Sequence, residues 1–491
     1  MNILLDTNII IPLEDTNVLL DSSFAEMRKL CGEQRHCLYI HPLQYEDIRR
    51  DKNSRRREIV LSRLDQYSHI TNPPIISETE LETLQLSQTS ENDKVDNNIL
   101  FALYRGAVHV LVTNDNGIHK KAIQLGIQDK VYRLKQFLVF LSHFNKTIIS
   151  NGYTGVKERF LYEIDKKQSF FDSLRKSYRD FDNWFQRSAE MQRKCWCIED
   201  NDSNIVAICI FKEEENAQII EKGEIVPGRI LKLCTFKVAP SARGKKLGER
   251  LLFIAFDYCR NNNYDWIYLH TFGDEQETLV GLCLDYGFKF FGKYIKNDKE
   301  DVYIKPMKMT QCESDENDSL FRYYPYFKDD SSIQKFIIPI RPKYHEDLFP
   351  DFSIMKGSLF EQDQSLCNCQ SNTIKKAYLC HSKTKRIKPG DIVLFYRSGD
   401  RKSIQCMGIV ESVCYSDDIN YVFPLIAKRT VYGYTEIQDI LKEPTLVILF
   451  RYIPLSKEIS KQTLIQADVR GNIQSIRKIK DCQYRRIINE Q

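Results

Sequence analysis

The sequence predicts a multidomain protein of mixed α/β and α+β character, and three observations carry that expectation. Its 491 residues exceed one compact core at roughly 150 residues per domain. Through the first third, short apolar runs alternate with segments of helical period, the pattern of a parallel sheet covered by helices. The last third shows short strand-like runs at regular spacing, the pattern of a small barrel or sandwich.

Composition narrows the class further. Hydrophobic residues make up 42% and charged residues 28%, ordinary globular usage that excludes wholesale disorder. Gly 20 and Pro 15 are low, which excludes fibrous or linker-dominated designs. Lys and Arg exceed Asp and Glu by 71 − 67 = +4, so any basic footprint must be local. No apolar run approaches the ~18 residues of a membrane span, and Asp6 interrupts the start MNILLDTN where a signal peptide would be apolar. The 15 cysteines are scattered and odd in number, which points to reduced thiols and a cytoplasmic chain.

In the first third, Asn2 to Leu5 and Cys37 to Ile40 read as buried strands, with Asp6 directly after the first. Pro42 starts a helix that carries Glu46 one turn inside, a further helix opens near Asp96, and Val108 to Val112 is a strand followed by TNDNG with Asp115. Ligands gather outside the carboxyl ends of such strands. Acids converging there repel unless a divalent cation sits between them, and hard oxygen ligands suit magnesium or manganese. The order LLDTN, HPLQYE, DNNILFAL, LVTNDNGI resembles a PIN-domain nuclease over residues 1–148, with an α/β/α parallel-sheet fold. The resemblance implies Asp6, Glu46, Asp96 and Asp115 as catalytic metal ligands for Mg2+ or Mn2+, Asp93 as a further acid, Thr7 and Thr113 as orienting groups, and RNA as substrate. The same acids read equally as turn and N-cap residues. The run RRDKNSRRR places Arg49, Arg50, Lys52, Arg55, Arg56 and Arg57 beside Glu46, a candidate nucleic-acid footprint or a solvated helix surface.

The middle third begins with a strand at Phe160 to Ile164, two amphipathic helices over about 169–190 and a hairpin, CWCIEDNDSNIVAICIF. A long strand from Arg229 to Val238 then runs into APSARGKKLGERLL, a loop opening directly into a helix. A helix N-terminus with Arg243, Lys245 and Lys246 beside it suits a diphosphate. VAPSARGKKLGERLL together with LCLDYGF resembles the GNAT-type N-acetyltransferases over residues 155–309, a mixed-sheet fold. The family loop is Q/R-x-x-G-x-G/A, and Arg243 and Gly248 match its ends while Lys246 replaces the middle glycine. The resemblance implies acetyl-CoA, its pyrophosphate on Arg243, Gly244, Lys245, Lys246 and Gly248 and its pantetheine arm along Phe236 to Val238. The tyrosine that family members often carry four residues before the glycine of the GF pair is here Cys283, either a replacement acid or inert packing. Glu224, His270 and Asp274 are base candidates by location only.

Residues 310–332 are polar and acidic at both ends, a candidate linker. Beyond it, IKPGDIVLFYRS and GIVESV resemble the PUA-like superfamily, which includes ASCH and EVE domains, over residues 333–491. That resemblance implies a β-rich barrel reading nucleic acid, with Phe395, Tyr396 and Arg397 as candidate contacts and His381 beside Cys380 as a candidate ligand or cap. The combined expectation is an acetyltransferase fused to a ribonuclease, acting on RNA (tRNA being one candidate) or another translation-linked target in a stress, toxin or defence role. The alternative is a non-catalytic nucleic-acid-binding regulator that uses acetyl-CoA as a signal.

Overall fold

The computed structural model describes residues 1–15, 21–142, 155–221, 223–242, 245–272, 276–308, 322–349, 372–427 and 429–488. They fall into two compact units rather than three. The first comprises Met1–Ile148 with Ser416–Lys428 and Tyr432–Pro444, and the second holds the remainder. The reading of 333–491 as one domain is therefore corrected: helices Ile419–Ile426 and Tyr434–Ile440 belong to the first unit. Apolar contacts explain it, since Phe423 packs 5.5 Å from Phe140 and the Tyr132 hydroxyl donates to Pro424 O at 3.2 Å.

The first unit is built on a five-stranded sheet, all parallel, in the order β3-β2-β1-β4-β5. Its strands are β1 (Asn2–Leu5), β2 (Cys37–Ile40), β3 (Ser68–His69), β4 (Val110–Val112) and β5 (Val131–Tyr132). Helices follow as the apolar spacing requires: α1 (Thr7–Glu14), α2 (Ser22–Glu33), α3 (Gln44–Arg49), α4 (Ser54–Arg63), α5 (Glu78–Thr83), α6 (Glu91–Tyr104), α7 (Asn116–Gln124) and α8 (Leu134–Ser142). Helix α6 starts a turn earlier than its apolar residues suggest, because Ser90 and Asp93 form a capping box. The basic run is two helix ends and not one helix: Asp51 and Asn53 cap the turn, and Asp51 takes Arg56 at 2.6 and 2.8 Å.

The second unit contains two sheets. The first has seven strands in the order β11-β12-β10-β9-β8-β7-β6. These are β6 (Lys157–Phe160), β7 (Lys194–Glu199), β8 (Ile205–Ala217), β9 (Val226–Val238), β10 (Trp266–Thr271), β11 (Lys289–Tyr294) and β12 (Asn297–Pro306). The strand expected at Phe160 to Ile164 ends at Phe160, and a 3-10 turn occupies Leu161–Glu163. Helices α9 (Asp172–Ser177) and α10 (Phe181–Glu190) precede β7, and α11 (Leu247–Asn261) and α12 (Glu277–Asp285) flank β10. Every pairing is antiparallel except β9 with β10.

The second sheet has six strands in the order β14-β17-β16-β15-β13-β18. They are β13 (Lys335–Ile340), β14 (Lys375–Cys380), β15 (Ile392–Arg397), β16 (Ser403–Ser416), β17 (Thr445–Ile459) and β18 (Arg477–Ile479). Central strand β15 is buried along its whole length, so Phe395, Tyr396 and Arg397 are core residues and not an exposed reading surface. Arg397 is held by Asp400 at 2.5 Å and Glu346 at 2.6 Å. His381 is exposed. Part of the expected linker is structure as well: Tyr324 is buried and its hydroxyl donates to Tyr452 O. Among the described residues no helix is long and apolar enough to cross a membrane.

Candidate active site

The unusual feature of the seven-stranded sheet is where its parallel pairing stops. Strands β9 and β10 pair from Ile230 with Trp266 to Leu233 with Leu269, yet both continue, to Val238 and Thr271. A register break opposite Ile210 and Phe211 leaves Cys234 as an extra residue in β9, and a bulge of this kind bends a strand away from its neighbour. The other edge of residues 235–238 stays paired with β8, from Thr235–Ile210 to Val238–Ala207. The two strands therefore part like a V after Leu233, exposing backbone donors and acceptors inside the fold.

On one side of the V stands the start of α11. Lys246 precedes it at φ 61°, a left-handed conformation that costs a non-glycine residue about 1 kcal/mol. Its ammonium lies 3.0 Å from Glu249, which anchors the turn. Glu249 is fully buried and accepts from the Tyr286 hydroxyl, from Ile374 N at 2.8 Å and from Lys375 N at 3.3 Å. Burial raises its pKa, but the Lys246 charge, the Tyr286 hydroxyl and Arg429 outweigh it and hold the carboxyl below its ordinary value. Asn372 adds a bond to Lys245 O at 3.0 Å. Gly248 lets the helix close on β9: a Cβ there would sit 3.2 Å from Leu282, 3.6 Å from Phe236 and 3.7 Å from Val238. Arg243 and Gly244 lie outside the described residues.

On the other side the V opens into a cavity of about 560 Å³, lined by the ends of β9 and β10, by α10 and by the β11–β12 turn. His270 stacks on Tyr294 with ring centres 3.9 Å apart. Its Nδ1 lies 3.1 Å from Glu300 Oε2, a charge contact not aligned as a hydrogen bond. The Tyr178 hydroxyl donates to the other Glu300 oxygen at 2.9 Å. Burial pushes the His270 pKa below 6.5 and Lys232 adds to it, while Glu300 opposes; the imidazole is neutral at pH 7. Glu214 also faces the cavity and accepts from the Tyr268 hydroxyl at 2.8 Å. Of the base candidates, only His270 is here: Glu224 is exposed and Asp274 lies outside the described residues.

Cys283 is not at this cavity. It is fully buried in the apolar core between sheet and helices, and burial pushes its thiol well up, so packing explains it. Tyr286, three residues on, is equally buried and committed to Glu249. Tyr178, Glu214, Tyr294 and Glu300 were missed by sequence reasoning. Glu214 had a signal, an acid in the middle of a strand; the others come from a loop, an edge strand and its neighbour.

Residues 159–288 match the model of the acetyltransferase (GNAT) family. They form a GNAT acetyltransferase domain. Among solved structures, this chain is similar to a GNAT-family acetyltransferase from Staphylococcus aureus Mu50, at 18% identity over 31% of this chain and 100% of that one, TM-score 0.24. It is similar to Arabidopsis thaliana NAA60 in complex with acetyl-CoA, at 15% identity over 31% of this chain and 99% of that one, TM-score 0.23. The ASCH protein of Zymomonas mobilis is similar at 12% identity over 32% of this chain and 94% of that one, TM-score 0.24. No curated protein matches the chain.

The first unit carries a separate acidic edge, away from any match to the GNAT domain. Asp6 caps α1 and is almost fully buried; it accepts from Thr7 N at 2.6 Å, Asn8 Nδ2 at 2.6 Å and Thr113 Oγ1 at 2.5 Å. Asp115 caps α7 through Ile118 N at 2.9 Å. Burial raises Asp6 to about 6 against those hydrogen bonds, with Asp115 and Asp47 adding repulsion. Burial and then the charges of Asp6 and Asp115 raise Asp96 to about 7. The α3 acid acting on both is Asp47; Glu46, the residue expected there, is exposed. One helix position separates them, enough to turn the side chain about 100°. Asp93 is occupied elsewhere, paired with Lys121 at 3.1 Å and capping α6. Among the described residues no group of three or more acids, histidines or cysteines is arranged to hold a metal ion. The expected Mg2+ or Mn2+ set of Asp6, Glu46, Asp96 and Asp115 does not fit as placed, because Asp6 is engaged by Thr7, Asn8 and Thr113 and Glu46 is exposed.

Raised carboxyl values have a consequence for stability. Asp96 binds a proton more tightly folded than unfolded, so the folded state loses stability as pH rises from about 4 to about 7. Asp96→Asn removes that loss. It is expected to stabilise the protein by about 1–2 kcal/mol at pH 7.5 with little change at pH 4, as read by urea unfolding across that range.

Proposed function

We propose that this protein transfers the acetyl group of acetyl-CoA to an amine, with the V between β9 and β10 as the place of reaction. The single observation carrying this reading is that V, set between a helix N-terminus on one side and a cavity holding a neutral histidine on the other. The pyrophosphate sits on the α11 start, where Lys245, Lys246 and free N–H groups offer charge and donors. Arg243 and Gly244 belong to the same proposed contact. The pantetheine arm adds as a strand along Phe236 to Val238, using the edge that β10 leaves. An amine entering from the cavity gives a proton to His270 Nε2, while the Glu300 charge, 3.1 Å from Nδ1, stabilises the imidazolium formed. The amine attacks the thioester carbon, and the carbon–sulfur bond breaks to release the CoA thiolate. Calorimetry with acetyl-CoA and mass spectrometry of an amine mixture test the reading; a flat titration defeats it. Binding without any product would favour the alternative in which acetyl-CoA is a signal.

A second reading concerns the first unit, where three mutually repelling acids favour it. The charges of Asp6 and Asp115 raise the pKa of Asp96, that of Asp115 raises Asp6, and Asp47 adds to both, an energy that a bound cation would relieve. This supports a PIN-like nuclease over residues 1–148, with exposed Arg49, Arg50, Lys52 and Arg55 as contacts for RNA. Arg56 and Arg57 are largely taken by Asp51. The GNAT domain would then extend over 155–309, and a PUA-like barrel would be formed by the strands between Lys335 and Ile479, without the helices Ile419–Ile426 and Tyr434–Ile440. Labelled RNA incubated with manganese should be cut by the native chain and spared by Asp6→Asn/Asp115→Asn; undiminished cleavage by the variant removes this reading.

A further inference from the structure

The cavity facing the parted strands is lined by charges of both signs. Its lining includes His270, Glu300 and Glu214, the groups that suit an amine. Around them stand Arg179, Arg193, Lys212, Lys232 and Lys296. Lys212 is paired with Glu214 at 2.9 Å. Lys232 is 8% exposed and donates to the Tyr294 hydroxyl at 2.7 Å, and the charges of Lys212 and Arg193 add to burial in lowering its pKa. The Arg193 guanidinium carbon lies over the Trp184 ring, 5.8 Å from its centre. Arg179, Arg193 and Lys296 have no acidic partner among the described residues.

Glu214 answers Lys212 and Asp180 answers Arg187 in the same lining, but cations left over without a paired acid are costly when the cavity is empty and favourable when an anion enters. A plain amine or a polyamine would meet repulsion there. We propose that the acceptor is an amine that also carries an anionic group, a carboxylate or a phosphate, with the amine at His270 and the anion held by Arg193 and Lys296. This rests on the acetyltransferase reading and names the substrate class for the same site. Arg193 and Lys296 become specificity residues, and neither was singled out by motif.

The test compares paired acceptors on the full chain with acetyl-CoA, reading product by mass spectrometry. L-leucine against L-leucinamide probes the carboxylate, and glucosamine 6-phosphate against glucosamine probes the phosphate. In at least one pair the anionic member should be acetylated with kcat/KM about tenfold higher or more, the worth of one charge-assisted contact. The responding pair identifies the source of the charge. In Arg193→Gln/Lys296→Gln that preference should collapse while calorimetric acetyl-CoA affinity is unchanged. Equal rates within both pairs, a preference that survives in the variant, or acetyl-CoA binding with neither pair acetylated would each overturn the proposal. Failure of acetyl-CoA to bind at all would instead sink the reading beneath it.

Discussion

Replacing His270 by alanine is expected to lower kcat for acetyl transfer by about 10²- to 10³-fold, the usual contribution of a positioned general base. Burial holds the imidazole pKa below its ordinary value, and the ring is stacked on Tyr294 and set beside a carboxylate. Acetyl-CoA affinity should not change, since the proposed contacts of the coenzyme lie on α11 and β9. The pH profile adds a readout that packing alone would not move. With its pKa depressed by burial, His270 loses its proton below pH 6.5, so the acid limb of kcat/KM should lie below that value. Glu300→Gln should displace this limb and lower the rate by about tenfold, because the imidazolium loses its counter-charge. Cys283→Ala serves as control: a thiol this deep in the core should affect folding more than rate. A rate loss in Cys283→Ala equal to that of His270→Ala would reverse these assignments.

Glu249→Ala is expected to destabilise the second unit by about 3–5 kcal/mol, the cost of breaking a buried charge network by removing one partner. Four groups lose their acceptor at once: the Lys246 ammonium, the Tyr286 hydroxyl and the amides of Ile374 and Lys375. Glu249→Gln keeps the shape but turns an NH2 toward donors, so it should recover little. Because the native pKa is depressed, this stabilisation is complete above the unfolded value near 4.5 and is lost as pH falls through the native value. Urea unfolding at pH 7 measures the effect. Where enough folded protein remains, acetyl-CoA affinity should fall as well, since Lys246 leaves its left-handed turn without an anchor. A variant as stable as the parent would show that the carboxylate is dispensable.

The Glu249 network shows why part of the site could not be read from the chain alone. ARGKKLGER announces a phosphate loop through local features: small residues, a glycine at 248, cations and the onset of an apolar helical period. Nothing local says that a glutamate in that helix will meet backbone amides at 374 and 375, more than a hundred residues later. The same limit explains Phe395, Tyr396 and Arg397. Alternation predicts that one face of an isolated strand is exposed, whereas β15 lies between β13 and β16 with both faces covered.

The acidic edge divides in the same way. Strand ends and helix starts placed Asp6 and Asp115 outside the sheet, because hydrophobic period and capping chemistry are properties of a few consecutive residues. The difference between Glu46 and Asp47 is one of helix phase, set by where α3 begins, and only packing decides that.

By itself the sequence determined the alternation of strands and helices in the first third, the start of a helix at Leu247 and the acetyltransferase-like middle, since each is encoded in neighbouring residues. The tertiary structure decided the rest: two units in place of three, Cys283 in the core, and a cavity assembled from Tyr178, Glu214, His270, Tyr294 and Glu300. Those side chains come from separate elements, and charges combine through space according to distance and burial, which chain order does not record.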